Sequence, residues 1–139
     1  MPILFRVLLL LYVAVIFLLT DSSAAKVLAS YNHYSLLHVP LYGIMSLLLF
    51  LSMTPVKFSQ SPRGNISIRA NRNDLKRSCF IAGLIALGVA VADEYYQSYI
   101  PIRSASASDV FLDLVGISLS LVLILRFFKR YSPEGSHER

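Results

Sequence analysis

The chain has 139 residues, with 13 Lys and Arg against 8 Asp and Glu, a net charge of +5, 55% hydrophobic residues and 15% charged ones. An ordinary soluble domain carries about 25% charged residues, so the composition excludes a typical water-solvated globule and points to lipid as the main solvent. Cys79 is the single cysteine, which excludes an internal disulfide framework and any multi-thiolate metal site.

The apolar runs predict an all-α membrane bundle of four transmembrane helices forming one domain over 1–139, with spans near 3–20, 35–54, 78–97 and 109–128. They leave no room in this length for a separate soluble catalytic domain. The first run is interrupted only by Arg6, whose stem can carry its guanidinium back to the interface. A cleaved signal peptide is its rival reading, with Val7 to Leu19 as the apolar region and Ser23-Ala24-Ala25 as the cleavage site. An outer loop, 21–34, leads to the second run, which is apolar apart from His38, Tyr42 and hydroxyls and ends at Pro55.

Residues 55–77 read as a basic loop, with Lys57, Arg63, Arg69, Arg72, Lys76 and Arg77 against Asp74 alone. Short loops rich in Lys and Arg stay in the cytoplasm, so both termini are expected there too. Topology and attraction to anionic headgroups explain this charge better than RNA does, and no nucleic-acid partner is expected. The third run is apolar from Ser78 to Ala92 and then meets Asp93-Glu94-Tyr95-Tyr96-Gln97. The apolar part rises only about 22 Å, short of a roughly 30 Å hydrocarbon core, so the acidic pair is drawn to the membrane boundary. An outer loop, 98–108, precedes the fourth run, which starts at acids and ends at Arg126, Lys129 and Arg130. Sorted by this topology, the inner side carries eleven Lys and Arg against three acids, a balance of +8. The outer side sets Lys26 and Arg103 against Asp21, Asp93, Glu94, Asp109 and Asp113, a balance of −3.

At 1.5 Å per residue, His38, Asp93 and Asp113 all lie about 5 to 6 Å below the outer boundary. Helical periodicity gives each span one polar, small-residue face: Tyr34, His38 and Tyr42; Gly83, Ala86, Ala90, Asp93 and Gln97; Asp109, Asp113, Gly116 and Ser120. Small residues let helices approach and ionisable groups avoid lipid, so these faces are expected to meet in a pocket opening to the outer face. The loop over it carries Pro101 and Arg103, the loop's only cation.

For Asp109, capping of the fourth span competes with a role in binding. Asp113 and Asp93 lie deeper, and Glu94 is expected to be the more solvated of its pair. A purely structural network pairing one acid with Arg103 is the bland alternative. Packing is the default for His38 alone, and no ligand pair has metal-site spacing, so no metal is expected. Tyr95, Tyr96 and Tyr99 fit an interfacial aromatic belt, with stacking on a sugar or headgroup as the minority reading. No Gly-rich phosphate loop or HExxH motif is present, and no cofactor is expected.

The stretch Asp93-Glu94-Tyr95-Tyr96-Gln97-Ser98-Tyr99-Ile100-Pro101-Ile102-Arg103, followed by Ser106, Asp109, Asp113 and Gly116, resembles the signature of the VanZ-like family of small bacterial membrane proteins. That signature runs Asp-Glu-x-x-Gln, then Pro-x-Arg, then Ser and Asp, then Asn and Gly. His38 with Tyr42 also looks like the family's His and following Tyr in the second span. Ile102 stands where the family usually has Gly, Asp113 where it has Asn, and Tyr34-Ser35 where it has Asp-Lys. The resemblance implies a multi-pass protein of the bacterial cytoplasmic membrane, and the family's namesake is an accessory factor in teicoplanin resistance.

Three functions follow as expectations. In the first, an accessory protein of the cell envelope recognises a lipid headgroup or lipid-linked glycan through Tyr42, Gln97, Arg103, Asp109 and the deeper acids. In the second, an intramembrane enzyme uses Asp93 or Glu94 as general base, His38 or Asp113 as acid, and Arg103 to hold an anionic group. A small proton-coupled transporter comes third, because the inner halves of the spans carry almost nothing polar.

Overall fold

The computed structural model describes residues 2–20, 34–54, 57–60, 66–69, 72–99 and 106–131. In chain order these form α1 (Pro2–Thr20), a 3-10 turn (Tyr34–Leu37), α2 (His38–Met53), β1 (Lys57–Gln60), β2 (Ile66–Arg69), α3 (Arg72–Gln97) and α4 (Ala107–Tyr131). Ser35–Met53, Arg72–Gln97 and Ala107–Lys129 are long and apolar enough to cross a membrane, and Ile3–Leu18 is a shorter apolar helix. The outward surface matches: Leu10, Phe80 and Phe111 expose 71%, 68% and 64% of their area. A helix apolar on its outside as well as its inside suits lipid rather than water.

The described bundle is all-helical, as expected for the all-α class, and two details differ from expectation. β1 and β2 pair antiparallel within the segment read as a loop, with Lys57 opposite Arg69 and Phe58 opposite Ile68. Each strand has only four residues; the alternation in Ile66-Ser67-Ile68-Arg69 was too short to stand out against the basic charge. Helix α3 starts at Arg72, well before Ser78, with Asp74 in its first turn, where the helix dipole favours an acid. Helix α4 likewise extends beyond 109–128 at both ends.

Helix α2 is the centre of the bundle and packs against α1, α3 and, most extensively, α4; α3 also packs on α4, and β2 lies beside α4. The interior combines Met45, Leu49 and Phe50 of α2, Ala82, Ala86 and Ala90 of α3, and Ile117, Ile124 and Phe128 of α4. The alanines thin the α3 face so that its backbone can approach, which matters in lipid, where apolar burial itself provides little drive for helix association. Near the hairpin end, Phe50 and Phe128 meet edge to face at 5.6 Å.

Helices α2 and α4 approach closely at Gly116. A Cβ placed on Gly116 would clash with the carbonyl oxygen of Val39, so a side chain there requires backbone movement. Helix α1 is tied to the same helix by the Tyr12 hydroxyl, which donates to the Leu41 carbonyl at 2.9 Å.

Candidate functional site

At the end of the bundle away from the hairpin, three helices place polar side chains side by side. His38 opens α2 and Tyr42 follows one turn later on the same face, their rings parallel within 6° and 6.3 Å apart. Asp93, Glu94 and Gln97 come from the last turns of α3, and Asp109 and Asp113 from the first turns of α4.

His38 Nδ1 lies 2.8 Å from Asp113 Oδ1, a hydrogen bond spanning 75 positions of sequence. Asp93 Oδ2 accepts from Gln97 Nε2 at 2.9 Å and from the Tyr42 hydroxyl at 3.4 Å. These groups are enclosed, with Tyr42 at 0%, Gln97 and Asp113 at 1%, and Asp93 at 3% exposure. Bonding of this kind offsets the cost of enclosing carboxyl groups away from water.

Beside this network lies a rim organised by Ser106, the residue that precedes α4. Its hydroxyl accepts from the Ser108 N–H at 3.2 Å and its carbonyl from the Asp109 N–H at 2.9 Å. Its own N–H donates to Glu94 Oε1. A helix cap normally draws its carboxylate partner from its own first turn; here α3 supplies it and thereby fixes the start of α4.

These contacts revise the expectations for two residues. Ser106 is the cap of α4, and Asp109 sits inside the first turn rather than at the cap. Glu94 is buried, contrary to its expected solvation, because one oxygen serves Ser106 while the side chain turns inward. Glu94 Oε2 and Asp109 Oδ1 are buried atoms without a hydrogen-bond partner among the described residues. Arg103 lies outside the described residues, as does the side chain of Tyr34.

Periodicity was a sound guide to the faces of His38, Tyr42, Asp93, Gln97, Asp113 and Gly116, while Gly83, Asp109 and Ser120 are only half-buried. Two contributors were not singled out from the sequence. Ser46 continues the His38–Tyr42 stripe and bonds back to the Tyr42 carbonyl at 2.8 Å; its spacing of four was the available signal. Tyr12 carried no signal beyond being a polar tip in an apolar run. Tyr95 and Tyr99, each 66% exposed, meet edge to face at 5.1 Å, and Tyr96 meets Phe17 of α1 at 6.1 Å.

Chemically, the described site is rich in acceptors and poor in donors. It suits ligands that bring hydrogens, and its His38–Asp113 pair has the contact that orients an imidazole for proton handling. Compared with known proteins, the chain finds no significant match to a protein-family model, a curated protein or a solved structure.

Proposed function

We propose that the chain is a VanZ-like integral membrane protein of the bacterial cytoplasmic membrane, with four spans and with both termini and the basic hairpin segment on the cytoplasmic side. Its site then faces outward and recognises a lipid headgroup or lipid-linked glycan in an accessory role in the cell envelope. The observation that carries this reading is the network His38–Asp113 and Tyr42–Asp93–Gln97, drawn from three helices to the end of the bundle opposite the basic hairpin. Ionisable groups are rare inside membranes and are retained mainly for ligand, ion or proton work. The ordered motif from Asp93 to Gly116 supports the family assignment.

The test is retention of envelope lipids by the purified full chain, read by native mass spectrometry, with a phosphatidylethanolamine/phosphatidylglycerol mixture and a polyprenyl-linked disaccharide as probes. Wild type should keep one of them, and Asp93→Asn and Arg103→Ala should lose it while remaining as abundant in the membrane. Disappearance of both variants from the membrane would show that the network only holds the fold.

A second reading rests on the 2.8 Å His38–Asp113 contact, which resembles a histidine oriented by a carboxylate for general acid/base catalysis. In that case the retained lipid or glycan is converted on incubation, and His38→Gln stops conversion without stopping retention.

A further inference from the structure

The inner network and the rim differ in one respect. Among the inner groups, Asp113 Oδ1 and Asp93 Oδ2 each accept bonds from neighbouring side chains. The rim holds the buried Glu94 Oε2 and Asp109 Oδ1, which accept from no donor among the described residues. Glu94 as a residue is only 8% exposed, so water does not readily serve that oxygen, whereas Asp109 is half-buried. Ser106 brings the two acids to one turn, binding the Glu94 carboxylate through its N–H and the Asp109 N–H through its carbonyl. The exposed tyrosines Tyr95, Tyr96 and Tyr99 surround the same end of α3, and such rings mark headgroup depth.

We propose that the rim between Glu94 and Asp109 receives a primary ammonium group, as carried by an ethanolamine headgroup. Two neighbouring acids, each with one oxygen that meets no donor among the described residues, call for a ligand supplying both positive charge and N–H hydrogens. A quaternary ammonium brings charge without hydrogens, and a glycerol or sugar hydroxyl brings hydrogens without charge; a primary ammonium brings three donors and the charge. The inference rests on the reading of this site as a recognition site for membrane lipid.

The experiment places the full chain in phosphatidylglycerol nanodiscs containing a small fraction of either phosphatidylethanolamine or phosphatidylcholine, and reads the lipids that stay bound by native mass spectrometry. The expected preference for ethanolamine over choline is about tenfold or more, since tenfold corresponds to about 1.4 kcal/mol. Glu94→Gln keeps an oxygen for the Ser106 N–H but removes the charge and the open acceptor, so the preference should fall toward one. Asp109→Asn should reduce it in the same direction; because Asp109 meets Ser106 only through its backbone, it carries the test if Glu94→Gln does not accumulate. Competition by soluble ethanolamine would assign recognition to the ammonium group alone, and a preference that survives it would assign recognition to the whole lipid.

Equal retention of the two lipids by wild type, or an unchanged preference in both variants, overturns the inference. If wild type instead retains both minor lipids equally and Asp93→Asn loses them, lipid recognition stands and the ammonium assignment falls. If it retains no lipid at all, both fall.

Discussion

His38 and Asp113 are both enclosed, so removing either takes a buried hydrogen-bond partner from the other. Truncating one partner of a buried pair costs about 3 kcal/mol or more, whereas an isosteric amide preserves an acceptor and costs about 1 kcal/mol. Unfolding in mixed micelles should therefore rank Asp113→Ala well below Asp113→Asn in stability. Equal losses would mean that the 2.8 Å contact contributes nothing. The neighbours in this network were legible in the sequence because depth and facing both follow from helix geometry: residues three, four and seven apart share a face, and 1.5 Å per residue sets their level. The partnership of Glu94 with Ser106 was not legible, since it depends on how α3 ends relative to where α4 begins. The pattern Ser106-x-x-Asp109 did contain a cap signal, but its usual reading pairs the serine with its own helix.

Among the elements, α2 and α4 are tightly constrained where Gly116 meets Val39. Gly116→Ala forces a methyl toward the Val39 carbonyl and should destabilise the bundle by about 1 to 3 kcal/mol, the range for overpacking. Gly88→Ala is the matched control, because nothing stands within 4 Å of its Cβ position; the better helix propensity of alanine should leave it neutral or stabilised by up to about 1 kcal/mol. Thermal unfolding of the two variants side by side checks this, and similar behaviour would contradict the close crossing. The existence of the helices was readable from their apolar runs. Their starts were less so: basic residues hid the first turns of α3, where Asp74 was the cue, and the four-residue strands offered too few alternations to separate a hairpin from a loop.

For the whole molecule, the charge pattern argues that the hairpin and the polar site face opposite compartments. Cys79 is buried, so a membrane-impermeant maleimide can report on introduced thiols. In intact cells, Ala107→Cys near the site should react, and Lys76→Cys at the start of α3 should react only after permeabilisation. The reverse pattern would invert the topology and turn the site toward the cytoplasm. The central position of α2 also has a consequence for biogenesis. Tyr12 of α1 is already made when α2 emerges, but the partners of Tyr42 and His38 arrive later, on α3 and then α4. Helix α2 is therefore synthesised with its polar stripe unmatched, and the bundle is completed only when the last helix is delivered. A chain stopped before α4 leaves His38 without its Asp113 partner and should accumulate less in the membrane than the 139-residue chain.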